Sequence, residues 1–146
     1  MVARPQEPRA GHGRRRMSLC LSAAGKTVAL ALEAFSLVWT HSVEKTEWRE
    51  EWRIADGLLV IERAHVQGTG AGMEIPAGAQ LIDRAWVYEP DLSPRPSVIF
   101  SDAGQGSDWQ ICAMHRCRAM GTLLPVSGTI LEMKACNGPG QPLFED

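Results

Sequence analysis

Residues 41–52, HSVEKTEWREEW, gather a histidine, a serine, four glutamates and two tryptophans, and a second histidine, His65, follows. Three chemistries draw on such residues. A serine hydrolase needs a nucleophile, a base within hydrogen-bond reach and a carboxylate that orients the base. His41, Ser42 and Glu44 supply the types, but neighbours in an extended chain point to opposite faces, so His41 is badly placed to activate Ser42. No G-x-S-x-G elbow occurs either. A metal site needs imidazoles and carboxylates that converge; His41, His65, Glu44 and Glu50 offer them without an H-E-x-x-H pattern, and no metal or cofactor is assigned. The favoured reading is a buried polar cluster in which Glu50 accepts hydrogen bonds from His41 and Arg63. An Arg beside a His in an aromatic-lined cleft also suits a small carboxylate ligand.

Two further stretches bear on the site. Gly70-Ala71-Gly72-Met73 sits in the loop QGTGAGMEIPAG. It could present backbone N–H groups to an anion, or form a tight turn with Met73 plugging the core; the turn is favoured. Cys112 and Cys117 flank Ala-Met-His-Arg. A disulfide across a short hairpin, two unlinked thiols and a zinc pair all stay open, zinc being weakened by the lack of a second ligand pair. Cys20 and Cys136 read as core residues.

The elements that must position these residues are short strands. LCLSA (19–23) and TVALAL (27–32) flank a turn at Gly25-Lys26. FSLVWTHSV (35–43) alternates, with Phe35, Leu37, Trp39, His41 and Val43 on one face. EWREEWRIA (47–55) and LLVIERAHV (58–66) are joined by Asp56-Gly57, the strongest short hairpin signal because a type I′ turn needs positive φ at both positions. An uninterrupted register from that turn pairs Trp52 with Ile61, Glu50 with Arg63 and Trp48 with His65. It puts Trp48, Glu50, Trp52, Ile54, Leu59, Ile61, Arg63 and His65 on a core face. Glu47, Arg49, Glu51, Arg53, Val60, Glu62 and Ala64 then face out. RAWVYE (84–89), SVIFS (97–101) and DWQICA (108–113) add strands, and the segment 123–136 adds one or two more. The expectation is an all-β fold, a compact antiparallel sandwich or barrel-like domain of roughly eight short strands.

The 146 residues fit one domain. Arg4, Arg9, Arg14, Arg15 and Arg16 stand against Glu7 alone in residues 1–16. That segment has almost no large apolar residue, so it reads as a disordered basic arm ahead of a β-rich domain over 17–146. A net charge of −2 gives no nucleic-acid footprint, and no run approaches the length of a membrane span. Arg14-Arg15-Arg16 before MSLCLSAAG resembles the start of a secretory peptide. Lys26 interrupts the apolar run, however, and Leu19 stands where a lipobox before Cys20 requires a small residue. The cytoplasm is slightly favoured over the periplasm, and Met17 competes with Met1 as the start.

Taken together, FSLVWTHSVEKTEWREEW, GAGM (70–73) and DWQIC-x4-C (108–117) resemble a bacterial family of unknown function whose genes are commonly found beside permeases of TRAP-type transporters of the TAXI class. The resemblance runs from about Leu19 to about Leu124. It implies a small β domain and, as partners, a TRAP permease or its solute-binding protein; the family has no established activity. The resulting expectation is a non-catalytic accessory or ligand-sensing component of such a transport system, with His41, Ser42, Glu44, Glu50, Arg63, Gly70, Gly72 and Met73 around its site. The alternative is a small metal-dependent or hydrolytic enzyme acting on the transported solute.

Overall fold

The computed structural model describes residues 17–40, 46–67, 76–101, 109–126 and 129–144. Two antiparallel sheets face each other as a sandwich. The small sheet holds β1 (Met17–Ala23), β2 (Lys26–Leu30), β8 (Ser97–Ser101) and β11 (Ile130–Asn137) in the order β2-β1-β11-β8. The large sheet holds β3 (Ala34–Thr40), β4 (Glu47–Ala55), β5 (Leu58–Gln67), β6 (Gln80–Ile82), β7 (Ala85–Tyr88), β9 (Gln110–Ala113) and β10 (Arg116–Ala119). Its order is β10-β9-β3-β4-β5-β7-β6. The fold class is therefore the expected all-β sandwich; the sheets do not close into a barrel. The described strands number eleven, because the short β6 and β10 carry too few residues to show alternation.

Four hairpins share one turn geometry. Ala24-Gly25, Asp56-Gly57, Asp83-Arg84 and Met114-His115 each have positive φ at both residues, and each joins strands paired directly across two residues. This is the type I′ arrangement, whose twist matches that of the flanking strands. Only Asp56-Gly57 carries the familiar sequence signal. The first turn lies one residue earlier than Gly25-Lys26, since Ala23 pairs with Lys26.

The core forms where alternating apolar residues of the two sheets meet. Leu19, Leu21, Leu131 and Met133 come from the small sheet, and Phe35, Leu37, Trp52, Leu59 and Ile111 from the large one; all are buried. Toward one end of the large sheet the inner face becomes aromatic. Trp39 stacks on Trp109 at 4.7 Å between centroids and meets Trp48 at 5.9 Å. Phe100 of the small sheet meets Trp109 edge-on at 5.3 Å, which ties the sheets together there. Trp39, Trp48 and Trp109 are half-buried and Trp52 is fully so. Offset and edge-on pairs of this kind add about 0.5–1.5 kcal/mol each beyond the area they bury.

The C-terminal segment straps across open edges. Gln141 pairs with Leu30 beside β2, Arg118 donates to the Leu143 carbonyl at 2.9 Å, and the Arg116 guanidinium lies 4.1 Å from the Phe144 ring centre. The strap passes so close to β2 that a Cβ on Gly140 would meet the Leu30 carbonyl carbon at 2.5 Å. Two disulfides staple neighbouring strands, one within each sheet. Cys112 and Cys117 are direct cross-strand partners in the β9–β10 hairpin. Cys20 and Cys136, expected as separate core residues, are instead half-buried and bonded to each other across β1 and β11. Sequence gives no local sign of that bond, because its ends lie 116 residues apart.

Candidate functional site

Of the residues marked out by sequence, His41, Ser42, Glu44, Gly70, Gly72 and Met73 lie outside the described residues. Glu50 and Arg63 are both described, and the expected pair between them does not exist. From the Asp56-Gly57 turn the register runs as expected through Ile54 with Leu59 and Trp52 with Ile61. A β-bulge then follows, so that Glu51, the next residue of β4, pairs with Arg63. Glu62 is the extra residue. Beyond it Glu50 pairs with Ala64, Arg49 with His65 and Trp48 with Val66. A shift of one residue reverses every side chain that follows. Ala64 and Val66 are thereby buried in the sandwich, and Arg63 and His65 join Glu47, Arg49 and Glu51 on the outer face.

Glu51 is the hub of that face. Its Oε1 accepts from Arg63 Nη2 at 2.9 Å and Nε at 3.2 Å, and its Oε2 lies 2.9 Å from His65 Nε2. Partial burial works to raise the Glu51 carboxyl. The hydrogen bonds and charges of Arg63 and His65 outweigh it and hold the group below its ordinary value, while Glu51 raises the Arg63 guanidinium. Charge-assisted bonds of this kind fix side-chain direction as well as contributing energy. On the turn side of the bulge Arg53 donates to Glu62.

The side chains so held border a concavity of about 380 Å³. Arg49, Arg63, His65, Glu47 and Asp83 line it, with Arg49 Nε 4.0 Å from Glu47 Oε2, and Ile82, Ala85 and Val87 provide apolar wall. Gln67 also lines it and accepts from the Glu47 backbone N–H at 2.8 Å. A second concavity of about 450 Å³ shares Arg63 and Val87 and reaches Gly78, Tyr88 and Glu89. Sites for small molecules are commonly of this size.

The inner face holds a different carboxylate. Glu50 lies between Leu37 and Ala64 in the ladder, and Trp52 Nε1 donates to its Oε1 at 3.0 Å. Burial pushes its carboxyl above the ordinary value, with the indole bond opposing. Tyr88, the partner of Ala64 on β7, is raised by burial and then by the Glu50 charge. Among the described residues no group of three or more His, Cys, Asp or Glu is placed to hold a metal. The zinc and free-thiol readings of Cys112 and Cys117 end with their disulfide, since neither sulfur is available as a thiolate. No helix among the described residues is long and apolar enough to cross a membrane.

Residues 35–120, more than half of the chain, match a family defined only as a domain of unknown function, DUF1850. The chain belongs to the DUF1850 family. No curated protein and no solved structure shows significant similarity to it. The DUF1850 match spans nearly all of the large sheet, with β8, and leaves out β1, β2 and β11. The groove thus lies on the portion of the molecule that defines the DUF1850 domain. Arg49, Glu51, Gln67 and Asp83 were missed as site residues. The alternation of Glu47, Arg49, Glu51 and Arg53 marks a solvated face, but nothing in it says that Arg63 and His65 cross over to join that face.

Proposed function

We propose that this protein is a non-catalytic accessory or ligand-sensing component of a TRAP-type, TAXI-class solute transport system, and that its large-sheet groove takes a small carboxylate-bearing solute. The observation that carries the ligand part is the Glu51 hub, which holds Arg63 and His65 at the wall of the 380 Å³ concavity beside Arg49. Arg and His side chains fixed at a partly apolar wall are the standard means of recognising a carboxylate. The transporter context rests on the sequence resemblance over His41–Lys45, Gly70–Met73 and Asp108–Cys117. All four cysteines of the chain are paired, a usage that favours an oxidising compartment. This turns the reading toward the periplasmic side, where solute is captured.

The test is affinity purification of the tagged protein from gently solubilised cells of its own source, read by mass spectrometry. Enrichment of a TRAP permease or its solute-binding protein supports the reading; clean recovery without any transport component removes direct contact. Thiol labelling in intact cells checks the compartment. Unreactive cysteines accord with an oxidising location, and reactive ones contradict it.

A further inference from the structure

We propose that the Cys112–Cys117 disulfide is a thiol–disulfide exchange site, opened by a dithiol reductant that attacks the Cys117 sulfur while the Cys20–Cys136 bond stays closed. The inference stands apart from the ligand and transport reading above. The two bonds differ in what they hold. Cys20–Cys136 joins β1 to β11, the two inner strands of the small sheet, across a sequence separation of 116. A link between such distant positions removes much freedom from the unfolded chain, so this bond serves the fold. Cys112–Cys117 spans a separation of only 5, and a short loop gains least from a cross-link. The β9–β10 hairpin also has other means of closure. Its turn has the type I′ geometry, and its ladder continues through Arg118 with Ile111 and Ala119 with Gln110. Beyond the ladder the Met120 N–H donates to the Trp109 carbonyl at 2.9 Å, and Arg118 donates to the Leu143 carbonyl.

Exposure identifies the sulfur that is attacked. β10 is the edge strand of the large sheet, and Cys117 on it is exposed, whereas Cys112 is 5% exposed. The pair lies on the outer face: Cys112 is across from Ser36, Ser36 is across from Glu51, and buried Ile111 beside Cys112 points into the core. The hairpin tip leaves the approach open, with Met114 74% exposed. Exchange depends on access to the attacked sulfur, and exposed bonds are the labile ones. In the first step a thiolate of the reductant bonds to Cys117 Sγ. The Cys112–Cys117 bond breaks, and its electron pair leaves on Cys112, which takes up a proton. The second sulfur of the reductant, as a thiolate, then bonds to the first and expels Cys117, which is protonated in turn. The reductant ends as a disulfide and the chain as two thiols, two electrons and two protons having passed between them. Ser36, the direct cross-strand neighbour of Cys112, brings a hydroxyl to the face on which the Cys112 thiolate forms.

The experiment treats the purified, oxidised full chain with dithiothreitol, blocks free thiols with iodoacetamide at intervals, and reads each cysteine by peptide mass spectrometry. Cys112 and Cys117 should become alkylated at least about tenfold faster than Cys20 and Cys136. The chain so opened should still unfold cooperatively in urea, followed by tryptophan fluorescence. Glutathione, a monothiol, should be found attached to Cys117 and not to Cys112. Two variants repeat that comparison without the bond. Cys112→Ser leaves Cys117 as a thiol that should react with glutathione disulfide, and Cys117→Ser leaves Cys112, which should react about tenfold more slowly because it is covered. If either variant fails to fold, the alkylation rates and the adduct position in the unaltered chain carry the test. Opening of both bonds together, or of Cys20–Cys136 first, overturns the exchange site. Loss of cooperative unfolding as Cys112–Cys117 opens overturns it too, because the bond is then a staple of the fold. Glutathione on Cys112 overturns the assignment of the attacked sulfur.

Discussion

Glu50 and Glu51 are adjacent in sequence and live in opposite surroundings. Glu50 points into the sandwich among Leu37, Ala64 and Trp52, and burial raises its carboxyl. Glu51 points out, grips Arg63 and His65, and is held low. One strand thus presents a carboxyl that burial raises on one face and a carboxyl that its basic partners lower on the other. The difference shows what a sheet does with period 2: it sorts neighbouring residues of one type into separate environments, and the environment sets their chemistry. On β5 the bulge at Glu62 decides which residues fall on which face.

The sharpest way to break this picture is to charge the inner face beyond the bulge. Ala64→Asp should cost about 3–5 kcal/mol, the penalty of an unpaired buried charge, because Ala64 is only 5% exposed and lies beside Glu50. Arg63→Ala, one residue away, should leave stability almost unchanged, since an exposed ion pair contributes little. Urea denaturation followed by tryptophan fluorescence reads both. Equal effects would mean that the two residues do not face opposite ways.

A milder intervention removes the bulge itself. The pairs on either side, Trp52 with Ile61 and Glu51 with Arg63, become consecutive in a regular ladder once Glu62 is deleted. All inward and outward assignments then survive, and only the Arg53–Glu62 ion pair and the local twist are lost. The expected cost is about 1 kcal/mol, measured as a lowered urea midpoint with an unchanged slope. Deleting Ala64 instead would turn His65 inward and Val66 outward, and should abolish cooperative unfolding. If the two deletions are equally damaging, Glu62 is not the extra residue.

The same bulge explains what sequence could and could not reveal. Asp56-Gly57 fixes the near half of the hairpin, and Trp52, Ile54, Leu59 and Ile61 fall where alternation puts them. At Glu62-Arg63 two polar residues stand side by side and the apolar alternation changes phase, from Leu59 and Ile61 to Ala64 and Val66, all of which face inward; a strict count from the turn passes over that doubled polar step. Turns at Asp83-Arg84 and Met114-His115 were silent. Arg, Met and His pay a steric penalty at positive φ that glycine avoids, so they are not turn signals. The pairing of β1 with β11, sealed by Cys20 and Cys136, joins opposite ends of the chain. Such a contact leaves no local trace. What was legible, therefore, was most of the strands and their apolar faces as far as each ladder stays regular; what was not was the shortest strands, how strands distant in sequence meet and where a ladder slips.

The smallest effects are the most diagnostic, because the two carboxylates should give opposite pH slopes in adjoining windows, Glu50 above 4.5 and Glu51 below it. For Glu50 the folded value lies above the ordinary 4.5, so the folded chain binds more protons than the unfolded one between the two values. Its contribution is fully present below 4.5 and is lost as pH rises through the raised value. Glu50→Gln keeps an oxygen for Trp52 Nε1 and removes the charge. It should be more stable than the parent at neutral pH, with the advantage vanishing as pH falls to 4.5. For Glu51 the folded value lies below 4.5, so its contribution is present above 4.5 and is lost on further acidification. Glu51→Gln should cost under about 1 kcal/mol at neutral pH, as befits a pair largely open to solvent, and should remove that acid sensitivity. Urea midpoints of the parent and both variants across the acid range would expose the crossing. Parallel shifts in the two variants would show that Glu50 and Glu51 do not occupy different faces, and the inside-and-outside account of β4 would fall with them.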